Sequence, residues 1–216
     1  MKIGVIRETF AGEKRVAATP DVAAKLVSKG FDVIVEQGAG EPSHFHDPQY
    51  VEAGAQLVDR GEALAADLVL SVRKPTPEIV QGLREKAILI SHLEDCEDDG
   101  TINRLLEKHI VTYGMERIPR ISRAQSMDAL SSQSNIAGYR AVIEAAVQYG
   151  RFLPLMMTSA GSAKPARLVV LGAGVAGLQA IATARRLGAD VHAYDIRPET
   201  REQIESLGAR FIDIDV

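Results

Sequence analysis

Apolar positions along this chain alternate between two spacings. Short β-branched runs at residues 2–6, 31–36, 67–72, 87–91 and 110–113 read as strands. Helical spacing lies between them. Thr19-Pro20-Asp21 is a helix start: a hydroxyl for capping, Pro at the first helical position, then an acid near the positive end. Gly30 supplies a left-handed stop. Helical character returns over 48–55, restarts at Pro75-Thr76-Pro77 and covers 101–108. Strands separated by helices predict parallel βαβ units.

One Ala-rich helical segment then fills 126–149, carrying Leu130, Ile136, Val142, Ile143 and Val147, and Gly150 ends it. At 1.5 Å per residue it would be about 36 Å long, enough to bridge two domains. Residues 159–165 read as a loop. A second block follows: strand 166–171, helix 175–187, strand 190–194, helix 198–207, strand 210–214. The expected fold class is therefore α/β, with two Rossmann-like doubly wound domains joined by a long helix. The expected divisions are 1–125, 126–165 and 166–216. A full dinucleotide fold has two βαβαβ halves. The second block supplies only the first half, so a truncated second domain, and hence a fragment, is expected.

Composition narrows the function classes. Lys plus Arg is 25 against 29 for Asp plus Glu, a net charge of −4, and 46% of residues are hydrophobic. That balance excludes disorder and argues against a nucleic-acid partner, which usually meets a basic surface. Cys96 is the lone cysteine, so an internal disulfide and a cysteine zinc site are both excluded. The most apolar stretch, 168–184, is cut by three glycines and a Gln, short of the roughly 20 residues a spanning helix needs. With no secretory leader apparent at the start, a cytoplasmic protein is expected.

The strongest chemical signal is Gly172-Ala173-Gly174-Val175-Ala176-Gly177, preceded by a β-branched run and followed by an amphipathic helix. Gly172 would permit the tight turn, Gly174 the approach of a pyrophosphate, and Gly177 the close packing of helix on strand. The helix N-terminus beginning at Val175 offers N–H groups to phosphate. Asp195 lies 23 residues after Gly172, where an acid binds a ribose 2′-hydroxyl. That favours NAD(H) over NADP(H). Ile196 and Arg197 complete the candidate cofactor set, although an Arg there can also accept a 2′-phosphate.

A second signal is the segment PRISRAQSMDALSSQSNIAGYR, residues 119–140. Arg120, Gln125 and Asp128 could converge at a cleft edge, and Gln125 and Asp128 share a helix face if the helix starts early enough. Equally, Asp128 could be a helix-start acid and Arg120 a solvated charge. This segment, the N-terminal stretch MKIGVIRETFAGEKRVAATPDVAAKLVSKGFDVIVEQGAG and the block GAGVAGLQAIATARRLGADVHAYDIRPE together resemble the NAD(H)-binding component of proton-translocating nicotinamide nucleotide transhydrogenases. Alanine dehydrogenases are related.

The resemblance covers essentially the whole chain. It implies NAD(H) bound here and NADP(H) held by a partner domain or β subunit. It also implies membrane subunits that move protons, a homodimer, and a place on the cytoplasmic side of the inner membrane. It assigns nicotinamide orientation to Arg120, Gln125 and Asp128, with Ser131 and Tyr139 behind them. Hydride passing directly between two nicotinamides needs no acid or base, only two rings near contact in a dry site.

The rival implication is alanine dehydrogenase chemistry, which needs a Lys, a His and a carboxylate-binding Arg. Arg15 fits the last. The Lys position falls on Arg73, with Lys74 one residue away, and the His position on Glu94, with His92 two away. A non-catalytic NAD-binding module is a third reading. Among the remaining candidates, His44, His46 and Asp47 could hold a metal but have no second ligand cluster, so no metal is expected. The acidic run around Cys96 reads as a solvated loop, and Met156-Met157 as packing.

Overall fold

The computed structural model describes residues 1–94 and 99–214. Contacts divide them into two compact units, Met1–Asp128 and Ala129–Val216.

The first unit is built on six parallel strands in the order β3-β2-β1-β4-β5-β6. They are β1 (Lys2–Val5), β2 (Asp32–Glu36), β3 (Gln56–Val58), β4 (Leu68–Leu70), β5 (Ile88–Ser91) and β6 (Val111–Gly114). Helices α1 (Pro20–Ser28), α2 (Asp47–Glu52), α3 (Arg60–Leu64), α4 (Pro77–Gly82) and α5 (Thr101–Glu107) connect them. Successive strand residues point to opposite faces, and β2 feeds two separate cores. Val33 and Val35 join Val5, Ala23 and Tyr50. Ile34 joins Val69, Leu89, Leu64 and Leu83. The sheet is therefore covered on both sides, as parallel sheets generally are. Strand order reverses between β1 and β4, where an open α/β sheet leaves a crevice beyond its carboxyl ends.

The second unit opens with α6 (Ala129–Tyr149), then a short antiparallel hairpin of β7 (Met156–Thr158) and β8 (Gly161–Ala163). A three-stranded parallel sheet follows in the order β11-β10-β9, made of β9 (Arg167–Leu171), β10 (Asp190–Tyr194) and β11 (Arg210–Phe211). Helix α7 (Val175–Arg186) links β9 to β10, and α8 (Arg201–Ser206) leads to β11. Its core gathers Ile181, Val191, Ala193 and Ile204, with Val142 of α6 packed against them. Gly138 brings α6 onto α7. A Cβ there would overlap the carbonyl oxygen of Ala176, so only Gly allows this approach.

The structure corrects several expectations. Helix α6 begins at Ala129, three residues later than the helical spacing suggested, and Ser122–Met127 before it is a 3-10 helix. Asp128 marks the break with ψ 86°, outside helical geometry. The stretch 159–165 is not all loop, because Gly161–Ala163 pairs with Met156–Thr158. Met156 and Met157 accordingly sit on a hairpin, and Met157 is exposed rather than packed. The last strand covers only Arg210–Phe211. Strand β3 and helix α3 are additional. Each is too short for periodicity to reveal, but Asp59 caps α3 by accepting from Glu62 N at 2.8 Å.

Candidate nucleotide site

The glycine-rich turn joins β9 to α7. Gly172 has φ 99°, the left-handed region that favours glycine, and its N–H donates to Tyr194 O at 2.7 Å. A Cβ on Gly177 would strike Gly172 O, so this glycine lets α7 start tight against the turn. Gly174 precedes the helix, and a Cβ built there meets nothing within 4 Å. Its backbone is thus open to close approach. The first N–H groups of α7, from Val175 onward, have no acceptor within the helix and carry its partial positive charge. Gly138 packs beneath this same first turn and fixes its height.

Asp195 follows the end of β10 and is only 8% exposed. Its Oδ2 accepts from Ala173 N at 2.7 Å, which ties the carboxylate to the glycine-rich turn. Arg197 donates to it from its backbone N and its guanidinium, at 2.9–3.1 Å. The guanidinium, then the two backbone N–H donors, hold the Asp195 carboxyl well below the usual carboxylate range. A cavity of about 610 Å³ opens at the carboxyl ends of β9 and β10, walled by Leu171, Gly172, Tyr194 and Asp195 with Ile196 and Ile214. All seven proposed cofactor residues therefore meet around one turn and one cavity edge. A dinucleotide fits this donor set: an open N-terminal helix turn for pyrophosphate, a buried carboxylate for ribose, and apolar walls.

The other proposed residues lie apart. Arg120 and Gln125 are exposed, and Asp128 is half-buried. Pro119, Ser126 and Met127 wall a cavity of about 660 Å³ with Ile90, Tyr113 and Ile118, beside the ends of β5 and β6. Gln125 and Asp128 do not share an α-helical face, because α6 starts after both. Asp128 instead stands at the boundary of α6, where an acid suits the positive helix end. Ser131 and Tyr139 lie on α6 in the second unit.

The crevice at β1 and β4 holds the residues relevant to amino-acid chemistry. Arg15 pairs with Glu13 at 2.7 Å, and the Arg15 hydrogen bond pulls the Glu13 carboxyl down to about 2. Arg73 pairs with Glu94 at 3.2 Å and stacks 4.5 Å from the centroid of the Phe10 ring. Lys74 pairs with Asp99 at 2.9 Å, and His92 Nδ1 donates to Val72 O at 2.9 Å. Glu8 was not singled out by sequence reasoning. It accepts from Val72 N at 2.6 Å, and burial pushes its carboxyl upward. The only sequence signal for it is an acid just past the carboxyl end of β1, at the switch point.

Two further candidates resolve differently. His46 Nδ1 meets Glu41 Oε2 at 2.7 Å, while Asp47 accepts from Gly38 N at 2.9 Å. No group of three His, Cys, Asp or Glu side chains among the described residues could hold a metal ion. Cys96 and the centre of its acidic run lie outside the described residues. No helix among the described residues is long and apolar enough to cross a membrane.

Comparison with known proteins places this geometry. The alanine dehydrogenase/PNT N-terminal domain model matches residues 4–137, and the corresponding C-terminal domain model matches 141–216. The chain belongs to the alanine dehydrogenase/PNT family. Within that family, it is 50% identical over 223 residues to an NAD(P) transhydrogenase alpha subunit of Rhodospirillum rubrum, matching 100% of this chain and 58% of that protein. The crystal structure of transhydrogenase from Sinorhizobium meliloti superimposes with a TM-score of 0.96 at 48% identity, over 99% of this chain and 64% of that one. Alanine dehydrogenase of Staphylococcus saprophyticus is more distant, 31% identical over 211 residues, covering 96% of this chain and 56% of it. The chain thus spans less than two thirds of the length of these relatives. Its family, its Rossmann-like α/β fold and its kinship to transhydrogenase subunits are established by these matches.

Proposed function

We propose that this chain is the NAD(H)-binding component of a nicotinamide nucleotide transhydrogenase. The observation that carries the reading is the Gly172–Gly177 turn joined to Asp195 through the Ala173 N–H. In this reading Gly174 and the N-terminus of α7 receive the pyrophosphate, Asp195 accepts from the adenosine ribose, and Leu171 and Ile196 flank the adenine. Arg120, Gln125, Asp128 and Ser131 orient the nicotinamide. Bound there, NADH would supply a hydride to NADP⁺ held by a partner domain or β subunit. The residues of this chain bind, orient and exclude water, and none is asked to move a proton. The remaining proposals are a homodimer, docking to membrane subunits that couple the reaction to proton movement, and a position at the cytoplasmic face of the inner membrane. The division into an N-terminal α/β domain (1–125), a linking segment (126–165) and a nucleotide-binding part (166–216) belongs to the same reading.

The crevice of the first unit supports this choice over alanine dehydrogenase. At the two positions where that chemistry needs a Lys and a neutral His stand Arg73 and Glu94, joined in an ion pair. An Arg stays protonated in proteins and cannot act as a base. Glu94 neutralises it and leaves no His in that place.

Fluorescence titration with NADH and with NADPH tests the binding. Tight NADH and negligible NADPH binding is expected. Equal affinity for the two would remove Asp195 as the selector. Addition of the NADP(H)-binding subunit should then yield hydride exchange, while oxidation of L-alanine should stay at background. Alanine oxidation without exchange would reverse the assignment.

A further inference from the structure

A carboxylate offers about four lone-pair positions, and four donors surround that of Asp195. Oδ2 accepts from Ala173 N at 2.7 Å and from Arg197 Nη2 at 3.1 Å. Oδ1 accepts from Arg197 N at 2.9 Å and from Arg197 Nε at 3.0 Å. Two of these donors are backbone groups that belong to the turn, and they cannot leave without unmaking it. The other two belong to a single guanidinium set fork-to-fork on the carboxylate. That side chain is 52% exposed, so water is ready to receive it.

A ribose hydroxyl reaching Asp195 therefore arrives at an acceptor already in use. Only the guanidinium can make room. Resting on the NAD(H) reading above, we propose that Arg197 is a displaceable latch. Its guanidinium stands in for the ribose hydroxyls in the free protein, and NAD(H) binding swings it out.

The latch makes Arg197 a specificity residue that acts in opposite senses on the two nucleotides. Toward NADH it is a competitor, because the fork must be broken before the ribose is seated. Toward NADPH it is a supporter. Asp195 stays ionised and pinned by Ala173 N, so it repels a 2′-phosphate, and the released guanidinium two residues away can pair with that phosphate. Removing the side chain should therefore improve NADH binding and worsen NADPH binding together. A role as a direct ligand of both nucleotides would weaken both.

The test is NADH and NADPH titration of wild type, Arg197→Leu and Arg197→Lys at low salt. Screening is least there. Arg197→Leu should bind NADH about two- to fivefold more tightly, the scale of one exposed ion pair, and bind NADPH less well than wild type. Arg197→Lys, which keeps the charge but loses the fork, should fall between them for both nucleotides. The Ala173 amide signal in a ¹⁵N spectrum reports whether the turn and Asp195 stay joined. Unchanged or weaker NADH binding by Arg197→Leu with that signal in place would overturn the latch and leave the NAD(H) reading standing. Absence of NADH binding by all three proteins, wild type included, would overturn the nucleotide reading and the latch with it.

Discussion

Strands β2 and β9 read alike and are housed differently. Both are apolar almost throughout, DVIVE in the first unit and RLVVL in the second. In β2 every residue after the first is buried, because the six-stranded sheet has a core on each face. In β9 burial alternates: Leu168 and Val170 pack on the core, while Val169 is 50% and Leu171 78% exposed. A continuous apolar run is the mark of a parallel strand covered on both faces. The sequence of β9 is suited to two covers, and the described residues provide one. Full burial of a Val or Leu side chain contributes about 1.5–3 kcal/mol, and β9 forgoes much of that at two positions. The open side is also where the nucleotide cavity lies, so binding and incomplete burial coincide.

The largest expected effect strikes the glycine-rich turn. In Gly177→Ala the new methyl would meet Gly172 O, so α7 must retreat from β9 or the turn must open. The cost should reach about 3 kcal/mol, and NADH binding should go with it. Chemical denaturation and an NADH titration on the same protein read both. A stable variant that still binds NADH would mean that the close approach of helix to strand is not what forms the site.

A pair of leucines puts the comparison of the two sheets directly to the test. Leu89 on β5 is fully buried in the first unit, and Leu89→Ala should cost about 2–5 kcal/mol. Leu171→Ala, at the exposed end of β9, should change stability by no more than about 0.5 kcal/mol. It should also reduce binding of an apolar dye. Equal losses would show that β9 is covered in solution by something other than the described residues.

The same pair shows what the sequence could and could not disclose. The first five strand expectations hold to within two residues, because Val, Ile and Leu runs bounded by helix starts leave little choice. Asp190–Tyr194 matches the expected strand. Strand β3 escaped because three residues carry no period, and the hairpin escaped because Gly161, Ser162 and Ala163 look like a loop until Met156–Thr158 pairs with them. At the site, Gly172, Gly174, Gly177 and Asp195 were legible because each glycine answers a separate steric demand. The bond from Ala173 N to Asp195 was not, since a backbone donor carries no residue signature. The clamp of Arg197 was half legible: its charge was visible, its engagement with Asp195 was not. Gly138 had a signal, a glycine inside a helix, whose packing reason only the contact with Ala176 supplies.

A smaller effect separates the structural from the binding share of Asp195. Asp195→Ala should weaken NADH binding about tenfold, the scale of losing a hydrogen bond to a charged group. Asp195→Asn keeps an acceptor for Ala173 N but loses the charge that repels a 2′-phosphate, so its NADH/NADPH preference should narrow. Undiminished NADH affinity in Asp195→Ala would remove the carboxylate from the site and leave the turn alone as the binding element.

The smallest effects are those of pH, and they load the two ends of the scale differently. Glu13 is held at about 2 by its Arg15 hydrogen bond, against an ordinary value of 4.5. A carboxyl depressed by folding contributes stability that is present above the ordinary value and lost as pH falls from there through about 2. Asp195, held down by Arg197, adds to the same acid-side loss in the second unit. Tyr50 works at the other end. Its hydroxyl donates to Ala18 O at 2.9 Å within the first unit's core, and burial pushes the phenol up to about 12 from 10.0. Folding there favours the neutral phenol, so its contribution is intact below pH 10 and lost as pH rises from 10 toward 12. Tyr50→Phe should cost about 1 kcal/mol at neutral pH for the lost hydrogen bond and should blunt the alkaline decline. Stability measured from about pH 8 to 11 in both proteins decides it, and parallel curves would place the alkaline loss elsewhere than at Tyr50.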